Sequence, residues 1–118
     1  IGTPFEGTVS IMKRLKQAGY RLYGLSNWSA ETFPLMRSKF DFFNLLDDIV
    51  ISGEVGMIKP EPEIFEHILE RIGRSASKCL FIDDAAANIE QARRMGFTTI
   101  HFQSPEQLER ELRRLDVL

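Results

Sequence analysis

The sequence predicts an α/β layer sandwich with a mainly parallel sheet, and three observations carry that prediction. Short β-rich runs alternate with stretches of helical periodicity along the chain. Three of the helical stretches end in glycine, at Gly19, Gly73 and Gly96, and glycine just past a helix takes the left-handed conformation without a Cβ clash. The β-rich runs are short and apolar, which suits parallel strands covered on both faces.

The first helix is expected over about Thr8 to Ala18, followed by a strand from Arg21 to Leu25. Ser29 is placed to cap a second helix. Phe40 to Leu46 is too short and aromatic to assign. A second strand follows at Asp48 to Ser52. From Glu61 to Ile72, the residues Ile64, Phe65, Ile68, Leu69 and Ile72 fall on one helical face, and Pro60 and Pro62 suit its opening turn. A third strand runs from Cys79 to Ile82. Ala86, Ile89 and Ala92 mark a helix over Ala85 to Met95, and Thr98 to Phe102 reads as a fourth strand. Ser104-Pro105-Glu106-Gln107 supplies an N-cap, a proline at the first helical position and a capping-box glutamine. Leu108, Leu112 and Leu115 then stripe the last helix.

The chain of 118 residues is one domain's worth of sequence, residues 1–118, with enough length to bury a core unaided. Its 43% hydrophobic content argues against disorder. A formal charge of −2 gives no basic excess to steer it onto nucleic acid. One cysteine excludes an intrachain disulfide and a multi-cysteine zinc site. Cys79 itself opens a strand and reads as a small hydrophobe. No apolar run approaches a membrane span and no cleavable signal pattern is visible, so a soluble, cytoplasmic domain without membrane contact is expected.

In open α/β sheets, sites gather at the carboxyl ends of strands. After the first strand come Ser26 and Asn27, and after the third come Asp83 and Asp84. The loop Gly53-Glu54-Val55-Gly56-Met57-Ile58-Lys59-Pro60 lies between the second and third. A hydroxyl, an amide, a lysine and two adjacent carboxylates could together hold an anion and a hard cation. Two neighbouring carboxylates are costly unless a cation or hydrogen-bond donors balance them. Mg²⁺ is the usual cation beside phosphate, since it prefers oxygen ligands and keeps open positions. Each residue also has an ordinary reading. Ser26 could cap a turn, Lys59 could be solvated, Asp84 could cap the helix at Ala85, and Asn88 could be a surface amide.

Order and spacing are more specific than any one residue. Leu25-Ser26-Asn27-Trp28, then Ser52-Gly53-Glu54-Val55-Gly56-Met57-Ile58-Lys59-Pro60-Glu61-Pro62, then Phe81-Ile82-Asp83-Asp84 with Asn88, stand in sequence. In these segments the chain resembles the haloacid dehalogenase-like hydrolase superfamily, in the branch with phosphatases, dehalogenases and epoxide-hydrolase N-domains. The resemblance implies a three-layer α/β/α Rossmann-like sandwich. It also implies roles. Ser26 and Lys59 would be the catalytic pair on the phosphoryl group, with Asn27 and Asn88 helping to line and order the binding loops. Asp84 would ligate Mg²⁺ directly and Asp83 would support the metal from behind. Charge stabilisation by pre-placed groups is the chemistry implied.

The family's first motif, an Asp-x-Asp stretch carrying the nucleophile, does not occur before Ser26; the first aspartate here is Asp41. The resemblance therefore casts these residues as a partial core, following the cap, with the central first strand missing. It implies a small phosphorylated metabolite as substrate of the full-length protein, and no turnover by this chain alone, since covalent catalysis needs its nucleophile. The gap beside the strands ending at Ser26 and Asp83 would be filled by a complementing N-terminal segment, by self-association, or by direct closure. Two other functions compete. A haloacid dehalogenase needs no metal and usually carries Ser and Asn at the acidic pair. A non-catalytic interaction module would explain the missing nucleophile, though it need not keep Ser26, Lys59 and Asp84. A receiver-type domain is disfavoured because Lys59 precedes the acids by 24 positions.

His67 is expected on an exposed helix face, His101 near solvent or core, and Trp28 either in the wall of the substrate entrance or in the core. Glu109, Arg110, Glu111, Arg113 and Arg114 read as a solvated helix face, and so do Arg93 and Arg94.

Overall fold

The computed structural model describes residues 3–118, with side chains from Glu6 onward. Four strands and six α-helices alternate in it: α1 (Thr3–Gln17), β1 (Tyr23–Ser26), α2 (Thr32–Lys39), β2 (Asp48–Ile51), α3 (Ser52–Val55), α4 (Pro62–Ile72), β3 (Leu80–Asp83), α5 (Ala86–Arg94), β4 (Thr98–His101) and α6 (Pro105–Arg114). Gly19, Gly73 and Gly96 take φ of 96°, 76° and 97°. At Gly73 the left-handed turn lets its N–H close onto the Leu69 carbonyl, ending α4. Ser104 caps α6 by accepting the Gln107 N–H at 3.1 Å, and Gln107 Oε1 accepts the Gln103 N–H in return. α1 starts earlier than expected, because Pro4 is tolerated in a first turn. The unassigned aromatic run contains a 3₁₀ turn, Asp41–Leu45, whose Phe43 is buried.

Strand pairing is parallel throughout, but it forms two sheets rather than one. β1 pairs with β2, setting Tyr23 opposite Asp48 and Ser26 opposite Ile51. β3 pairs with β4, setting Leu80 opposite Thr98 and Asp83 opposite His101. β1 and β3 do not pair with each other, so direct closure is not how this chain meets the gap. Side chains alternate to opposite faces as strand geometry requires. Tyr23, Leu25, Val50 and Phe81 pack with Ile64, Phe65 and Ile68 of α4 and Ala92 of α5. Leu22, Leu80, Ile82 and Ile100 pack with Ile11 and Leu15 of α1 and Leu108 and Leu112 of α6. Ile49 and Ile51 meet Phe33 and Phe43. Helices thus cover both faces of the strands, in three layers.

Burial differs between the strands. Val50 and Ile51 of β2 are fully buried and Ile100 of β4 is 2% exposed. Every residue of β1 and β3 is only half-buried. A parallel strand with one partner keeps a row of N–H and C=O groups facing away from it. β1 and β3 each have such an edge. Among the described residues, no helix is long and apolar enough to cross a membrane.

Candidate active site at the strand ends

Ser26 ends β1 and Asp83 ends β3, so parallel pairing brings each to the carboxyl end of its own sheet. Lys59 lies in the loop between α3 and α4 and joins the two. Its backbone is clamped by Asn27: the Lys59 N–H donates to Asn27 Oδ1 at 3.0 Å, and Asn27 Nδ2 donates to the Lys59 carbonyl at 3.2 Å. Its ammonium then reaches Asp83 Oδ2 at 2.7 Å, with both side chains buried (11% and 8% exposed). The Lys59–Pro60 peptide bond is cis. The path Asn27–Lys59–Asp83 therefore ties one sheet end to the other.

Asp83 is fully committed. Oδ1 accepts the Ala85 N–H at 2.8 Å, and Oδ2 accepts Asn88 Nδ2 at 3.2 Å as well as Lys59. Burial opposes its charged form, but the bonds from Lys59, Ala85 and Asn88 and the Lys59 charge outweigh it, and its pKa lies below the ordinary value. The N-cap of α5 is Ala85 and no side chain caps it, which corrects the capping reading of Asp84; Asp83 Oδ1 instead holds the Ala85 N–H just before the helix. The buried Asn88 serves the same carboxylate and is no surface amide. Asp84 points its carboxylate to solvent, and among the described residues neither that carboxylate nor the Ser26 hydroxyl has a hydrogen bond.

No group of three or more His, Cys, Asp or Glu among the described residues could cage a metal ion. The donor set nevertheless fits Mg²⁺, which commonly takes only one or two carboxylates and fills the rest of its shell with water and phosphate. An exposed, unpaired Asp84 beside an acid already neutralised by Lys59 meets that need.

The loops around the site are closely fitted. Ser52 Oγ and the Gly53 N–H both donate to the Trp28 carbonyl, at 3.2 and 2.9 Å. Ser29 Oγ accepts the Thr32 N–H at 3.1 Å within the turn before α2, whose N-cap is Glu31 rather than the expected Ser29. Trp28 takes the packing role of its two expected placements and also borders a cleft. Its ring packs on Phe33 and Phe43, and it lines an open cleft of about 380 Å³ with Asn27, Met57 and Ile58.

Two surface residues differ from expectation, and a third, His101, is exposed as one of its two expected placements had it. His67 is half-buried, and its Nε2 has no hydrogen-bond partner among the described residues. Glu109 lies between Arg14 of α1 (2.6 Å) and Arg113 (2.9 Å), and these bonds hold its pKa at about 2. His101 reaches the acidic loop, its Nε2 standing 2.8 Å from the Asp84 carbonyl. That contact left no signal in the sequence, since it follows from the register that sets His101 opposite Asp83.

Comparison with known proteins is consistent across sequence and structure. A model of the haloacid dehalogenase-like hydrolase family matches residues 1–96. The chain is 31% identical to a drimenol cyclase of Aspergillus calidoustus and 33% identical to a sesquiterpene phosphatase of Aspergillus oryzae, over 95% of its own length in both cases. It spans 21% and 57% of those two proteins. A magnesium complex of a haloacid dehalogenase family enzyme from Bacteroides thetaiotaomicron superposes with a TM-score of 0.78 at 26% identity, covering 90% of this chain and 56% of that one. The ordered strand-end groups and the parallel α/β layers agree with that match, and the chain belongs to the haloacid dehalogenase-like hydrolase family.

Proposed function

We propose that this chain supplies the phosphate- and metal-binding part of a Mg²⁺-dependent phosphatase site. An aspartate from a segment outside these 118 residues completes it. The Lys59–Asp83 ion pair carries the reading, because it places a cation and a neutralised acid beside a free carboxylate at the ends of both sheets. Ser26 donates its hydroxyl to a phosphoryl oxygen. Lys59 offsets phosphoryl charge, positioned by Asn27, while Asn88 holds Asp83 in place. Asp84 holds Mg²⁺, with Asp83 behind it. Mg²⁺ held there would supply neutralisation of charge on the phosphoryl oxygens. The first aspartate of the incoming Asp-x-Asp segment attacks phosphorus as the ester P–O bond breaks, the second aspartate protonates the departing alcohol, and water then hydrolyses the aspartyl-phosphate to free the carboxylate and inorganic phosphate. The substrate is a small phosphorylated metabolite, a reading supported by the similarity to a phosphatase of a sesquiterpene. The missing aspartate arrives on an extended segment between β1 and β3, whose open edges and half-burial support a strand there.

The test begins with native and then denaturing mass spectrometry, followed by phosphate release from phosphomonoesters with Mg²⁺ and with EDTA. The 118-residue chain alone is expected to release none. A polypeptide or complex that also carries an Asp-x-Asp segment is expected to release phosphate, and EDTA to abolish that release. Turnover by the pure 13.6 kDa chain would overturn the missing-nucleophile reading. EDTA-insensitive dehalogenation by the completed protein would overturn the phosphatase reading.

A further inference from the structure

We infer that His101 is a positioning residue for the acidic loop: its ring donates Nε2–H to the Asp84 carbonyl and thereby sets the direction of the Asp84 carboxylate. The inference deepens the Mg²⁺ reading above and rests on it for its consequence, but not for its geometry. A carbonyl oxygen only accepts, so the 2.8 Å contact requires the proton on Nε2. Asp83 is held on all sides, by Lys59, Asn88, the Ala85 N–H and, through its carbonyl, the Phe102 N–H at 2.8 Å. Asp84 is not. Among the described residues, its bond to His101 is its one tie. That tie holds the peptide plane between Asp84 and Ala85.

His101 is itself anchored from the other side. Gln107 Nε2 donates to the His101 carbonyl at 3.1 Å, and Gln107 is locked at the start of α6 by its reciprocal bonds with Gln103 and Ser104. The capped end of α6 therefore connects through β4 to the acidic loop. Groups one step removed from a metal ligand hold it in its binding orientation, and their loss typically costs about 10–100-fold in metal affinity.

The test uses the complete polypeptide carrying this chain, as wild type, His101→Ala and His101→Gln. Glutamine places an amide N–H near the position of the imidazole Nε2 and can restore the bond. Two readouts are taken: amide hydrogen exchange at Ala85 and Ala86, and binding of Mg²⁺ alone by calorimetry. His101→Ala is expected to speed exchange at these amides and to weaken Mg²⁺ binding about tenfold, with His101→Gln restoring most of both. In turnover, the alanine variant is expected to lose more in Mg²⁺ requirement than in kcat. Unchanged exchange in His101→Ala, or exchange that glutamine leaves fast, overturns the positioning role. If wild type binds no Mg²⁺, the metal reading fails, and the exchange data alone still decide whether His101 orders the loop.

Discussion

At Lys59 and Asp83 the two ends of one bond depend on each other. Each side chain is nearly out of water, and each would be an uncompensated buried charge without the other. Lys59→Met is expected to destabilise the fold by about 3 kcal/mol, the range for losing one partner of a buried pair, measured by urea unfolding. The pH dependence has a definite sign. The folded Asp83 pKa is lowered, so its contribution is complete above the unfolded carboxylate value of about 4 and is lost as pH falls through the lower folded value. The wild type should therefore lose stability progressively below about pH 4. Lys59→Met should lose less over the same span, because Lys59 supplies the chief favourable contributions and burial opposes them. Equal acid slopes in the two proteins would show that the pair does not set the Asp83 titration. Glu109 also has a lowered pKa, but it sits between Arg14 and Arg113 at the surface, where solvent screening leaves little stability to lose.

Between residue and fold stand the elements, and their legibility follows from how local their causes are. α4 was readable because one face carries Ile64, Phe65 and Ile68, and because Pro62 and Gly73 punctuate its ends. α6 was readable from Ser104, Pro105 and Gln107, whose bonds form within four residues. The catalytic candidates were readable as an ordered set. The Asn27 clamp on Lys59 was not, since it joins residues 32 positions apart through backbone atoms that every residue type has. The 3₁₀ turn at Asp41–Leu45 was missed because its aromatic side chains answer to Trp28 and Phe33 rather than to a helical period. α3 is a single turn, decided by the contact of Gly53 with the Trp28–Ala30 segment. A Cβ at Gly53 would lie 2.4 Å from the Ala30 nitrogen and 2.7 Å from Ser29 Cα, both backbone atoms that cannot swing aside. Gly53→Ala is accordingly expected to cost about 1–3 kcal/mol, as overpacking does. A thermal melt checks the cost. A chemical-shift map should place the disturbance at Trp28 to Ala30, next to Ser26 and Asn27. A shift map confined to α3 would separate this contact from the site.

Over the whole molecule, one feature connects fold and chemistry: the strands form two separate pairs, so each keeps one open edge, and β1 and β3, which end in Ser26 and Asp83, are half-buried along their whole length. β2 and β4 hold the fully buried strand residues, though Thr98 and His101 of β4 are exposed, while β1 and β3 stay half-buried throughout. Helix α4 bridges the two sheets on one face, where Phe65 packs on Phe81 of β3 in a cluster that also holds Leu25 of β1 and Val50 of β2. At the strand ends that carry the candidate site, Lys59 is the polar bridge. The same α/β alternation would have arisen from one continuous sheet, so periodicity alone could not reveal the division. Pairing is a long-range property, and the residue pattern of a strand does not name its neighbour. An extended segment accepted between β1 and β3 would satisfy both backbone edges at once and cover Leu25, Phe81 and Ile82. Hydrogen exchange on the chain, before and after a peptide bearing an Asp-x-Asp sequence is added, tests this directly. Amides of β1 and β3 that face away from β2 and β4 are expected to exchange fast in the chain alone and to slow together on addition, while those within each pair change little. A peptide with both aspartates replaced by asparagine should protect the same amides, because seating depends on backbone pairing, but should restore no phosphate release. Protection at β2 or β4 instead would mean that the segment adds to an outer edge, leaving its aspartate away from Lys59 and Asp84.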